Sequence, residues 1–221
     1  MQRFFDIVLS GIALVLLLPI FLPLIFILRM TGEGEIFFLQ SRVGRGGKYF
    51  KLYKFATMQK DSPNIGTGTV TVKNDPRVLP IGKFLRRTKI NELPQLFNIF
   101  NGDMSVIGPR PQTKRCFDAF PVQSQKEIIK VRPGLSGIGS IIFRNEEDMM
   151  SANNDPQKFY DEIIMSYKGS LEHWYVANQN IISYFIFIIL TIWVVLGFSN
   201  AWVWKLFKDL PTPPEELDKW I

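Results

Sequence analysis

The densest chemistry in this 221-residue sequence lies between Lys83 and Gly102, where Arg86, Arg87 and Lys89 run into Asn91-Glu92-Leu93-Pro94. Asn91 has the side chain of a helix N-cap, Glu92 suits a first turn, and Pro94 is tolerated there because first-turn donors are unpaired anyway. Leu93, Leu96, Phe97 and Phe100 fall at i, i+3, i+4 and i+7, which predicts one apolar helix face, and Gly102 suits the stop. The plain reading is a capped amphipathic helix behind a basic segment. The chemical reading is a helix start beside three cations, which is an anion pocket suited to phosphate. Two more arginines sit on rigid turns, in Gly108-Pro109-Arg110-Pro111 and Val131-Arg132-Pro133-Gly134. Proline fixes φ, so a guanidinium on such a turn loses less entropy when its planar fork meets phosphate oxygens.

Other chemistries lack material. One cysteine, Cys116, and one histidine, His173, exclude a disulfide framework, a cysteine zinc site, an iron–sulfur cluster and a multi-histidine metal site. A metal here would take oxygen ligands, which points to magnesium or manganese. Lys and Arg number 26 against 20 Asp and Glu, a net charge of +6 that favours an anionic partner. No base-stacking platform or recognition-helix pattern appears, so nucleic acid is not expected, and a lipid surface explains the basic balance better. His173, beside Trp174-Tyr175, reads as a packing or interfacial residue.

Two apolar runs bracket this chemistry. Ile7 to Leu28 is 22 residues without a charge, long enough to cross a bilayer, and too long, with no small-x-small site after it, for a cleaved leader. Pro19 and Pro23 interrupt it, and a kink or break is expected there. Arg3 before the run and Arg29, Arg42, Arg45 and Lys48 after it would both prefer the cytoplasmic side. That favours a re-entrant hairpin over a kinked spanning helix. Ile181 to Phe198 is at the lower limit for a span and is followed by Trp202 and Trp204, so a span, an interfacial helix and a core helix all stay open. Between the runs, 36–40 and 49–55 read as strands joined by a Gly-rich turn at 43–48, and 67–72 is ambiguous between strand and loop. The chain divides into an N-terminal membrane segment (1–32), a catalytic region (33–180), hydrophobic C-terminal helices (181–208) and an exposed, proline-rich tail (209–221).

Phe4-Phe5-Asp6, the proline-broken run, Gln40-Ser41-Arg42-Val43-Gly44, Tyr53-Lys54-Phe55-Ala56-Thr57-Met58 and Asp75-Pro76-Arg77-Val78 occur in that order. Asn91 to Asn98, Gly102 to Pro111, Val131 to Gly134 and Trp174 to Asn178 follow. Together they resemble the bacterial sugar transferases, the monotopic polyprenyl-phosphate phosphoglycosyl transferases, over most of residues 4 to 190. The resemblance implies an α+β fold: a membrane-embedded re-entrant helix–break–helix with its break at Pro19, a small, mostly helical cytoplasmic catalytic domain, and interfacial helices. It implies residence at the bacterial cytoplasmic (inner) membrane, with the catalytic domain on the cytoplasmic face. The implied reaction moves a sugar-1-phosphate from a UDP-sugar to polyprenyl (undecaprenyl) phosphate and releases UMP, the first membrane step of polysaccharide or glycoconjugate assembly. Mg2+ is implied as cofactor with Glu92 as its ligand, and a homodimer is compatible with the family. Positions 91 and 92 are implied as catalytic, with Arg86, Arg87, Arg110, Arg132 and Arg144 as substrate-binding residues.

The sequence departs from the pattern at its centre. The family opens this helix with Asp-Glu, the aspartate attacking the β-phosphate, whereas here the pair is Asn91-Glu92. A carboxamide is no substitute nucleophile. Either the aspartate was replaced deliberately, or Glu92 or another acid takes over, with Asp103 the next acid in the block, or the chain is a binding homologue without turnover. Ala56 stands where a basic residue is common, Tyr184 where an acid is common, and Leu18 precedes Pro19 where serine is usual.

Overall fold

The computed structural model describes residues 1–65 and 75–221, so the ambiguous 67–72 segment lies outside the described residues. Helix α1 (Gln2–Met30) contains both prolines within one helical segment, so the sequence-expected break is not a gap between two helices. It is the one helix among the described residues long and apolar enough to cross a membrane. Strands β1 (Phe37–Val43) and β2 (Tyr49–Phe55) form an antiparallel hairpin, Phe37 opposite Phe55 and Val43 opposite Tyr49, as their alternation and the glycine turn predict.

Helix α2 (Pro80–Arg87) starts at a proline and carries Arg86 and Arg87 in its last turn. Its Gly82 lies so close to the chain that a Cβ there would sit 2.1 Å from the Thr57 carbonyl oxygen, which fixes α2 against the end of β2. Lys89 then takes a left-handed turn at φ 60, an uncommon conformation for a side chain with a Cβ, and Ile90–Glu92 form a single 3-10 turn before α3 (Gln95–Asn101). Asn91 is therefore buried inside that turn and does not cap the helix, which starts after Pro94 without a side-chain cap. Gly102 at φ 97 ends α3 as expected. The buried face of α3 is Gln95, Leu96, Asn98 and Ile99, while Phe97 and Phe100 face outward beside α1.

Strand β3 (Ser105–Ile107) pairs in parallel with β4 (Gly134–Ser136), so the Arg110 turn follows the C-terminal end of β3 whereas the Arg132 turn leads into the N-terminal end of β4. Helices α4 (Lys114–Asp118) and α5 (Val122–Ile128) connect them, and α6 (Ile138–Ile142) and α7 (Glu146–Ser151) follow. Helix α8 (Pro156–Phe159) leads through a π-turn into α9 (Met165–Asn178), then α10 (Ile181–Val195) and α11 (Trp202–Leu206).

The main core joins α6, α9 and α10 through Ile138, Ile142, Leu171, Tyr175, Phe187 and Leu190. The C-terminal helices share this core with the catalytic region. The tail corrects the sequence reading too: Leu217 is fully buried in the core, and Tyr167 donates its hydroxyl to the Pro211 carbonyl at 2.7 Å.

Helix α1 lies against this body along its whole length. Near its start, Arg3 donates to the last carbonyls of α3, Ile99 and Phe100, and Gln2 donates to Ser105 Oγ. The buried Asp6 carboxylate accepts from Ser105 Oγ, the Val106 N–H and the Tyr184 hydroxyl, each at 2.9 Å. Near its end, Phe21, Leu24 and Leu28 pack on Phe55 and Leu85. Its other face is bare, with Leu16, Leu22 and Phe26 exposed, and α10 likewise leaves Ile182, Ile189 and Leu196 exposed. Fifteen residues make α10 about 22 Å long, short of a hydrocarbon core of about 30 Å.

Candidate active site

A cavity of about 1350 Å³ lies between β2, the turn at Ile90–Glu92, the Arg110 turn and α10. Asn91, Glu92, Arg86, Arg87, Arg110 and Arg144 all line it, so six of the residues expected to act together do meet. Arg132 does not. It turns away from the cavity and donates Nε to the Gly102 carbonyl at 2.8 Å, on the side where Arg3 and Arg45 lie. Its place on a rigid turn was legible in sequence, but the direction of the turn was not. Asp103 is likewise outside the cavity, exposed and accepting from Asn98 at 3.2 Å, and does not replace the missing aspartate.

Glu92 is the centre of charge. Arg110 Nη2 lies 3.0 Å from its Oε1 and Lys54 Nζ 3.8 Å, and the carboxylate side chain stays 16% exposed toward the cavity. Burial alone would raise its pKa; Arg110, Lys54 and Lys89 outweigh that and hold it far below the ordinary carboxylate range. Lys54 responds the other way. Its burial, added to the nearby Arg42, Arg110 and Arg86, brings its pKa down to about 7 despite the pull of Glu92. Arg42, buried and beside Arg110, is pushed down to about 10. Glu92 is outnumbered by Arg42, Lys54 and Arg110 beside it, which leaves this end of the cavity rich in positive charge. Each depressed cation gains when an anion binds.

Behind the cavity lies a second charged layer. Lys168, itself buried, donates to Glu146 at 2.7 Å. Glu172 accepts the Arg110 backbone N–H at 3.3 Å and is raised to about 7 by burial, with its Oε2 lacking a hydrogen-bond partner. Among these, Lys54, Lys168 and Glu172 were not assigned roles from the sequence. The available signal for Lys54 was a lysine alternating with aromatic residues on a half-buried strand. For Glu172 it was an acid inside an apolar helix face.

Asn91 is 6% exposed, lines the cavity, and its Oδ1 is buried without a hydrogen-bond partner. No cluster of three or more His, Cys, Asp or Glu side chains gathers among the described residues. The oxygen donors suited to Mg2+ are therefore the Glu92 carboxylate and the Asn91 amide oxygen. Such a pair fits the ion when phosphate oxygens and water complete its shell, as is common for Mg2+ on nucleotides.

The far end of the cavity is apolar, walled by Leu135, Ile141, Ile188, Ile192 and Val195, of which Ile192 and Val195 are also exposed on the outer face of α10. Arg144 stands at that rim, with Nη2 3.4 Å from the Val195 carbonyl. The two ends thus suit a phosphorylated, water-borne molecule and a greasy one.

The model of the bacterial sugar transferases matches residues 1–198. The chain belongs to that family. Within it, the chain is 38% identical over 145 residues to the UDP-N-acetylgalactosamine-undecaprenyl-phosphate N-acetylgalactosaminephosphotransferase of Aeromonas hydrophila, covering 64% of this chain and 34% of the relative. It is 46% identical over 111 residues to a putative undecaprenyl-phosphate N-acetylgalactosaminyl 1-phosphate transferase of Bacillus subtilis, covering 50% and 62%. It is 34% identical over 210 residues to the galactosyl transferase CpsE of Streptococcus agalactiae, covering 90% and 43%. The chain thus spans between about a third and two thirds of the length of these relatives.

Proposed function

We propose that the chain transfers a sugar-1-phosphate from a UDP-sugar to a polyprenyl phosphate such as undecaprenyl phosphate and releases UMP, in polysaccharide assembly. The observation that carries this reading is the excess of cations around Glu92, with Arg42, Lys54 and Arg110 gathered at one end of a cavity whose other end is apolar. A diphosphate supplies the missing negative charge, and Arg110 binds its oxygens as a planar fork. Arg86 and Arg87, at the end of α2, reach the same volume, and Arg144 guards the apolar rim. Glu92 keeps Arg110 and Lys54 in place and offers, with Asn91, the oxygen ligands for Mg2+. Bound there, Mg2+ neutralises charge on the diphosphate. The names of relatives that act on undecaprenyl phosphate support the acceptor class.

The disposition of α1 supports residence at the membrane face. A helix whose start is tied to β3 and α3 and whose end packs on β2 and α2 cannot cross a bilayer alone while that body stays on one side. Its bare apolar face, with that of α10, suits re-entrant insertion into the cytoplasmic leaflet of the inner membrane, where a water-borne donor and a lipid acceptor meet. The test is UMP release from a panel of UDP-sugars with Mg2+ and undecaprenyl phosphate in detergent. Turnover with one or more donors, lost in Glu92→Gln, is expected; no UMP from any donor with folded protein overturns the reading in favour of a nucleotide-sugar-binding homologue.

A further inference from the structure

We propose that transfer on this chain is a single displacement, in which the acceptor's phosphate attacks the donor's β-phosphorus directly while both substrates occupy the cavity. The inference rests on the transferase reading and concerns how its chemistry is divided. An amide stands at position 91, buried in the 3-10 turn with its oxygen unpartnered, and offers no nucleophile. The neighbouring carboxylates are committed to cations: Glu92 to Arg110 and Lys54, Glu146 to Lys168, Asp75 to Arg77, and Glu35 to Lys60.

The acceptor needs no such help. A phosphate monoester loses its second proton near pH 6, so at neutral pH it is already a dianion with no proton to remove. Its oxygen forms a bond to the β-phosphorus. The bond from that phosphorus to the bridging oxygen breaks, and the electron pair leaves on UMP. No proton, oxidant or enzyme-bound phosphate is required for the balance.

The cavity can hold both partners at once. Its volume of about 1350 Å³ exceeds the roughly 300–1,000 Å³ of ordinary ligand pockets, and its two ends differ in chemistry. The donor diphosphate and the acceptor phosphate converge on Arg42, Lys54 and Arg110. The isoprenoid chain runs outward over Ile188, Ile192 and Val195, two of which continue onto the exposed face of α10.

The test compares full-length wild type with Asn91→Asp, using donors labelled on the β-phosphate. Enzyme and donor are first mixed without acceptor, and UMP and protein-bound label are measured after quenching. Initial rates are then taken against both substrates. The expected wild-type result is no stoichiometric UMP and no labelled protein without acceptor, together with intersecting initial-rate lines. Asn91→Asp is expected to gain one equivalent of UMP and labelled protein in the first step, which shows that the trap works. A wild type that turns over and also releases one equivalent of UMP before acceptor is added, with label on the protein, overturns the single displacement and leaves the transferase reading intact. Glu92→Gln and Asp148→Asn, the latter altering another carboxylate of the cavity lining, then say which residue carries the label. Absence of transfer in both wild type and Asn91→Asp overturns the transferase reading and this inference with it.

Discussion

Asp6 and Glu92 are both largely buried carboxylates, one on α1 and one beside α3, yet their partners are opposite in kind. Asp6 receives three hydrogen bonds from neutral donors on β3 and α10 and does not itself line the cavity. Glu92 faces two cations and an open volume. Neutral donors satisfy a carboxylate locally and tie three elements together, which is the work of an anchor. Cations in excess over their carboxylate leave positive charge to be met by something that comes and goes. The comparison separates the residues that build the interface from those that use it.

Changes at the two carboxylates should therefore break different things. Glu92→Gln should lower transfer at least about 100-fold, since it releases Arg110 and Lys54 and removes a metal ligand, while thermal unfolding shifts little. Asp6→Ala should do the reverse. Three buried donors lose their acceptor, a destabilisation of at least about 3 kcal/mol by chemical denaturation in detergent, with activity per folded molecule retained. Equal losses of activity and stability in both variants would dissolve the distinction.

Glu172 sharpens the comparison by pH. Its folded pKa, raised by burial from 4.5 to about 7, means the folded state holds its proton more tightly than the unfolded chain. Its contribution to stability is full below the unfolded value and is lost as pH rises through about 7, on the order of 3 kcal/mol in all. Wild type should thus lose stability between about pH 5 and about pH 8, and Glu172→Gln should flatten that slope. The check is a denaturation series across pH; parallel curves would remove Glu172 as the cause. The smallest effect belongs to Arg132. Arg132→Ala loses one hydrogen bond to Gly102, about 1 kcal/mol, and should leave the donor KM unchanged, whereas Arg110→Ala should raise it.

What the sequence disclosed follows the range of the forces involved. The hairpin was legible because alternation and a glycine turn are local, and so was the end of α3 at Gly102. The start of α3 was not, because the left-handed Lys89 and the 3-10 turn bury Asn91 where a cap was expected. Phe97 and Phe100 fit an amphipathic core face by spacing, yet they lie outward beside α1, where an apolar outer surface is wanted. Arg86, Arg87, Arg110 and Arg144, far apart in sequence, line one cavity. Arg132 shows the limit of the motif reading, since a rigid turn fixes an arginine's base and not its direction. Lys54, Lys168 and Glu172 belong to the site through long-range packing between β2, α7 and α9, which no local pattern reports.

The most direct measurement follows the β-phosphate label itself. Full-length protein, Mg2+ and undecaprenyl phosphate in detergent are incubated with β-labelled UDP-sugars, and label is counted in the organic-extractable lipid. The account predicts that label enters the lipid phase in step with UMP and that Glu92→Gln abolishes it. Label that stays in the aqueous phase for every donor, with the protein folded, would contradict it.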